Sequence, residues 1–311
     1  MPAILTLTLN PAIDETVSLE RLRPGHVHRA HAVSFHAGGK GVNVAACLAD
    51  WGAAVTATGI LGEDNQACFT ALFKAKGITD EFIRAPGETR TNIKLSHDDD
   101  TTDINLPGLP VSEEMVAALS ARAETLTQPG GLALLAGSLP ADVSPGIYAA
   151  LTARLAAKGA RVLLDSSGPP LAAALKGPVP PFAIKPNRAE LEALLGTPLN
   201  TDEALLAAAR GLVARGVALV VVSLGAEGAL FVTQTAALRA HLPALRVAST
   251  VGAGDAMVAG IIAALDEGAP LERLARLATA FAAGKLTRPG PNLPPRAEVE
   301  ALAESVTVQT P

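Results

Sequence analysis

Apolar positions along this chain fall into short runs whose spacing alternates between that of strands and that of helices. Ala3 to Leu9 is a β-rich run closed by Asn10-Pro11 and reads as a buried strand. Helical spacing follows from Val42 to Trp51, a strand from Ala54 to Leu61, and helical spacing again from about Gln66 to Lys76. Beyond Ser112 the alternation becomes regular: helix 112–127, strand 131–136, helix 144–158, strand 160–165, a short strand 182–185 and a helix from 188. Helix 202–215 leads into Ala218 to Val222, a continuous β-branched run suited to a strand covered on both faces. Strands at Gly228–Val232 and Leu245–Ala248 complete the set, helices fill the remainder, and the tail is polar. Repeated strand–helix alternation predicts an α/β fold with a mainly parallel sheet and right-handed crossovers. Two segments break the pattern. Residues 12–37 and 86–108 are polar and irregular and read as loops, with Asp98-Asp99-Asp100 a solvated hairpin tip.

Composition narrows the function classes. The 311 residues are 49% apolar but only 3% aromatic, so the core must be built from Ala, Leu and Val in closely spaced elements. A net charge of −5 argues against a nucleic-acid or anionic-membrane partner, and any anionic substrate must meet a local basic cluster. Cys47 and Cys68 are too few for a disulfide scaffold, and the six histidines offer no zinc spacing. With no secretory leader and no membrane-length apolar run, a cytoplasmic protein is expected.

The most informative stretch is Thr250-Val251-Gly252-Ala253-Gly254-Asp255, which runs straight into an apolar helix. The first N–H groups of a helix lack internal partners and carry partial positive charge, which suits a phosphate. A carboxylate at that end can take a proton from an attacking hydroxyl, so the stretch has the parts of a phosphoryl-transfer site. An Asp that merely caps a helix after a flexible turn has the same wording, and the other motifs must decide. Gly38-Gly39-Lys40-Gly41 is not a P-loop, since its spacer and the following Ser/Thr are missing. A dinucleotide fingerprint is excluded as well, because Met257 stands where the third glycine would fall. Arg90, Asn92 and Lys94 alternate, which puts all three on one face of a strand as a fork and a point charge for phosphate.

In order along nearly the whole chain, several blocks resemble those of the ribokinase-like (PfkB) carbohydrate kinases. They are Thr8–Asp14, Gly38–Ala45, Thr89–Lys94, Gly137–Pro140, Lys185–Glu190, Ser223–Gly228 and the Gly252–Asp255 stretch. The resemblance implies a single kinase domain over 1–311, a three-layer α/β sandwich whose β-sheet lid is formed by segments 12–37 and 86–108. It also implies a homodimer contact through the lid. Asp255 would be the base, with Gly252, Ala253 and Gly254 holding the phosphoryl charge. Asp14, Gly38, Gly39 and Asn43 would contact the sugar, Asn43 through its amide. Lys40, Arg90 and Lys94 would form a basic cluster for its phosphate, joined by Asn92, Asn105 and Ser138. ATP would lie along Lys185, Asn187, Ser223, Gly225, Ala226, Gly228, Thr250 and Gly252, with adenine near Thr279 and Ala283. Mg²⁺ would be reached from Glu190 through water.

The basic cluster favours a phosphorylated sugar over ribose or a nucleoside. D-fructose 1-phosphate is the expected acceptor at its C6 hydroxyl, with tagatose 6-phosphate and fructose 6-phosphate as alternatives. A non-catalytic sugar-phosphate or nucleotide sensor is the alternative of a different class, and an intact Asp255 argues against it. Ala256 stands where relatives commonly carry Ser, and Thr287–Asn292 follows no family block.

Overall fold

A computed structural model describes residues 4–97, 100–242, 252–288 and 290–311. The expected strand Leu245–Ala248, together with Thr250, Asp98 and Asp99, lies outside the described residues. In the first part of the chain the strands are β1 (Ile4–Thr8), β2 (Ala12–Ser18), β3 (Ala32–Gly38) and β4 (Val55–Gly62), with helices α1 (Lys40–Trp51) and α2 (Ala67–Lys76). Short strands β5 (Thr79–Asp80) and β6 (Ile83–Ala85) precede β7 (Thr91–His97) and β8 (Asp100–Asn105). The regular alternation then runs α3 (Glu113–Leu126), β9 (Leu132–Ala136), α4 (Ile147–Ala157), β10 (Arg161–Asp165), α5 (Gly168–Lys176) and β11 (Ala183–Ile184). Helices α6 (Arg188–Leu195) and α7 (Asp202–Ala214) lead to β12 (Leu219–Ser223), β13 (Ala229–Val232) and β14 (Ala237–His241). The chain ends with α8 (Ala253–Asp266), α9 (Leu271–Leu286), α10 (Arg296–Ser305) and β15 (Thr307–Gln309).

The large sheet has the order β15-β14-β13-β12-β11-β10-β9-β1-β4-β5, with β6 also paired to β4. Every pairing from β12 through β5 is parallel, and the three pairings at the β15 end are antiparallel. Period-two alternation divides the core between its two faces. Along β9, Leu132 and Leu134 face one apolar cluster, with Trp51, Ile261, Leu277 and Phe281, while Ala133 and Leu135 face the other, with Leu119, Tyr148, Leu191 and Leu212. Helices therefore cover both faces, and the expected three-layer arrangement with a mostly parallel sheet is what is found. Among the described residues, no helix is long and apolar enough to cross a membrane.

The two segments that pattern alone reads as loops form a second sheet, β3-β2-β7-β8. Its rows explain why they were hard to read. His36, Asp14, Asn92 and Asn105 lie side by side on one face, and Phe35, Glu15, Ile93 and Ile104 lie side by side on the other. Alternation is present, but one face is mostly polar and the other stays exposed at Val33, Phe35 and Ile104. Other elements went unread, the short strands β5 and β6 among them. Helix α5 opens on Gly168-Pro169-Pro170, where proline is tolerated in the first turn. Strand β14 and the polar-tail strand β15 owe their form to pairing at the sheet edge, Ala240 opposite Val308, rather than to any apolar run.

Helices α8 and α9 pack at very short range. A methyl group at Gly260 would sit 2.7 Å from the Cα of Ala278 and 3.0 Å from the Phe281 ring. Helix propensity favours Gly260→Ala by about 1 kcal/mol, and overpacking opposes it by about 1–3 kcal/mol. Urea denaturation of Gly260→Ala should show a net loss of stability. A gain would mean that the two helices are free to separate.

Candidate active site

The carboxyl ends of the parallel strands and the start of α8 converge under the second sheet. Gly252 precedes α8 with φ 82°, a left-handed conformation that suits glycine, and among the described residues no side chain caps this helix end. Asp255 sits in the first turn and is 9% exposed. From α1, Asn43 donates its amide to the Asp255 carboxylate at 2.8 Å. The amide expected to reach a sugar hydroxyl therefore uses one of its two N–H groups to hold Asp255.

Asp165, the last residue of β10, was not anticipated from sequence. It is 2% exposed and accepts from Lys40 at 3.3 Å and from Lys185 at 3.4 Å. Its second oxygen is buried with no hydrogen-bond partner among the described residues. The signal was available as a lone carboxylate closing the apolar strand Val162–Leu164, but nothing local pointed to its partners. Burial opposes ionisation of Asp165, yet Lys185 and Lys40 outweigh it and hold the carboxyl below the usual range. Asp255 goes the other way. Burial first, then repulsion by Asp165, pushes it up to about 6, against the partial opposition of Lys40, Asn43 and Lys185. Two neighbouring carboxylates are thus driven apart in acidity.

Lys40 was grouped with Arg90 and Lys94 as a cluster for phosphate, and here it has a carboxylate partner apart from the other two. Lys40 pairs with Asp165, its pKa raised by Asp165, Asp255 and Glu190 against the opposing effect of burial. Lys94 instead reaches Asp14 at 3.4 Å and Asp103 at 3.9 Å, and Asn92 donates to Asp14 at 3.3 Å. Arg90, just before β7, points its guanidinium at the carbonyls of Asn10, Pro11 and Leu106 at 3.3–3.4 Å. Asn105 is exposed on β8, in the same row as Asp14 and Asn92. Ser138 accepts from Asn10 at 3.1 Å. Gly38 and Gly39 are glycines for a local reason. A Cβ at Gly38 would meet the Asp14 carboxylate at 2.7 Å, and Gly39 has φ 104°.

The residues expected on the nucleotide side begin at Lys185, whose ammonium lies 3.4 Å from where a Cβ of Gly254 would be. Asn187 and Glu190 form a capping box at α6: Asn187 accepts from the Glu190 N–H at 2.8 Å, and Glu190 accepts from the Asn187 N–H at 2.9 Å. Ser223 bridges to Asn187 at the end of β12. Gly225 (φ 60°) opens a tight turn through exposed Ala226, and Gly228 (φ 89°) closes it where a Cβ would lie 2.0 Å from the Ala240 carbonyl oxygen. On α9, Thr279 is buried with its hydroxyl unpartnered among the described residues, and Ala283 is partly exposed. No group of three or more His, Cys, Asp or Glu side chains that could hold a metal occurs among the described residues.

The profile of the pfkB family carbohydrate kinases matches residues 7–298. The chain is 54% identical to a 1-phosphofructokinase of Xanthomonas campestris, over 91% of this chain and 90% of that one. It is 47% identical to a 1-phosphofructokinase of Rhodobacter capsulatus, over 99% and 98%. Among solved structures, phosphofructokinase-2 from Escherichia coli in complex with fructose-6-phosphate superposes with a TM-score of 0.91 at 29% identity, covering 98% of this chain and 99% of that one.

The Asp255 carboxyl should titrate near pH 6 when followed by carboxyl ¹³C NMR. Asn43→Ala removes a hydrogen bond that favours the charged form, so its midpoint should move higher. A midpoint near the ordinary value of 3.8 in both proteins would contradict the burial argument.

Proposed function

This chain belongs to the pfkB family of carbohydrate kinases, and we propose that it transfers the γ-phosphoryl group of ATP to the C6 hydroxyl of D-fructose 1-phosphate. The products are fructose 1,6-bisphosphate and ADP. One observation carries the reading: a buried carboxylate of raised pKa stands in the first turn of a helix whose N–H groups no side chain caps among the described residues. The choice of acceptor is supported by the 54% and 47% identical 1-phosphofructokinases, against 29% for the phosphofructokinase-2 bound to fructose 6-phosphate.

Asp255 takes the proton of the C6 hydroxyl as its oxygen bonds to the γ-phosphorus. The bond from phosphorus to the bridging oxygen of ADP breaks, and ADP leaves with that electron pair. The N–H groups of Gly252, Ala253 and Gly254 hold the charge of the moving phosphoryl group. Lys185, held by Asp165, supports the same charge from beside Gly254. On the lid, Asp14 accepts from sugar hydroxyls, and the phosphate is met by Arg90 and Lys94 with Asn92 and Asn105. Lys94 can turn from Asp14 to the phosphate when the sugar hydroxyls take its place. Glu190 and Asn187, with Ser223, Gly225, Ala226 and Gly228, lie along the nucleotide.

Mg²⁺ fits the residues present if it travels with ATP. Glu190 would reach it through water, which suits an ion that keeps most of its hydration shell and needs no cage of protein ligands. When bound it neutralises charge on the nucleotide phosphates.

The outward row of the lid supports a homodimer. Phe35, Val33 and Ile104 are 60%, 48% and 44% exposed on a face that has no role in the site, and burying such a patch against a second copy is favourable.

Assayed against fructose 1-phosphate, fructose 6-phosphate, tagatose 6-phosphate, ribose and adenosine, the protein should consume ATP fastest with the first; preference for another acceptor would overturn the substrate assignment. Asp255→Asn should keep ATP affinity by calorimetry while kcat falls by roughly two to four orders of magnitude. Phe35→Asp combined with Ile104→Asp should convert a dimer to a monomer in light scattering, and an unchanged mass would reject the lid contact.

A further inference from the structure

Lys285, in the last turn of α9, is 3% exposed, and nothing in the kinase reading uses it. Its ammonium donates to the Arg288 carbonyl at 3.1 Å. Among the described residues no carboxylate lies within ion-pair distance of it. An ammonium has three donors, and burying its charge is costly unless something gains from it. One carbonyl is weak compensation. The charge stands directly behind the anion-holding turn: the Lys285 Cε is 3.3 Å from where a Cβ of Gly252 would lie. Gly252 is therefore held to glycine twice, by its φ of 82° and by Lys285 at its back.

We propose that Lys285 is a positioning residue for phosphoryl transfer. Its fixed positive charge, seated behind Gly252, strengthens the N–H groups that open α8 and is compensated when the transferring phosphoryl group reaches them. The proposal rests on the kinase reading of Asp255 and α8. Two groups facing Lys285 agree with it. Asp255 on α8 attracts it, and Cys47 on α1 is a thiol pushed up to about 12 by burial, so it stays neutral. Burial lowers the Lys285 pKa, while Asp255 opposes that shift. In the apolar interior a charge one residue away acts with little screening.

Lys285→Met removes the charge with little change of shape, and Lys285→Gln removes the charge but keeps a donor for the Arg288 carbonyl. Circular dichroism and thermal melting establish that each is folded. In both, kcat should fall by roughly ten- to a hundredfold, less than for loss of a direct donor to the transition state, while KM for the sugar phosphate stays within about twofold. The acid limb of the rate profile should also move to higher pH, because an attraction favouring ionised Asp255 is gone. The other groups facing Asp255, namely Asp165 from β10, Lys40 and Asn43 from α1, and Lys185 after β11, are unaltered. Wild-type kcat in Lys285→Gln, or an unmoved acid limb in a folded variant, would overturn the proposal. Asp255→Asn assayed alongside separates the two readings. If it is inactive while the Lys285 variants are unaffected, only the role of Lys285 falls; if it is active, the base assignment falls first.

Discussion

Asp165 holds Lys40 and Lys185 within 3.4 Å at the carboxyl end of the sheet, with only 2% of its surface open to water. A buried charge costs several kcal/mol unless it is paired, so these three groups must be settled together before anything near them can be. Two cations against one carboxylate leave a surplus of positive charge that neither Asp165 nor the fold consumes. Asp255, a short way off, receives part of that surplus but not enough to offset its own burial and the repulsion of Asp165. The same environment therefore holds one carboxyl below the usual range and lifts the other above it. Removing Asp165 would free both lysines and lower the pKa of Asp255 together.

The sheet delivers these groups because parallel strands end on the same side. Asp165 ends β10, Lys185 follows β11 and Ser223 ends β12, so neighbouring strands present their last residues to one crevice. Helices α1 and α8 meet there from one face, bringing Asn43 to Asp255. Glycines at and near the crevice are fixed by contacts within the protein: Gly38 by the Asp14 carboxylate, Gly228 by the Ala240 carbonyl and Gly260, farther along α8, by the backbone of α9. Crowding by neighbouring protein atoms, more than approach to a ligand, accounts for these three.

Much of this was legible in the chain. The continuous run Leu219–Val222 announced a strand covered on both faces, and Gly-Ala-Gly-Asp before an apolar helix announced the candidate base. Asp165 was not legible, since Lys40 stands 125 positions away and only the fold joins them. Asn187 and Glu190 were read toward nucleotide, yet their spacing equally encodes the capping box they form. The strands of the second sheet escaped pattern reading because hydrophobicity was sought along a whole buried face, and the chain covers these strands only near one end, at Ala12, Ile13 and Ala37. The tail strand Thr307–Gln309 had no signal at all, because an edge strand this short is defined by its partner's backbone.

The second sheet also constrains how this protein can vary over generations. Its side chains alternate between a row with Asp14 and Asn92 and a row with Phe35 and Ile104, along the same strands. A single-residue insertion or deletion within β2 or β7 would exchange the rows, putting apolar groups where Asp14 and Asn92 now stand and the carboxylate and amide on the other face. Point substitution can tune either face by itself, whereas a change of length damages both at once. The strands should thus hold a fixed length across descendants while the turns joining them lengthen and shorten freely.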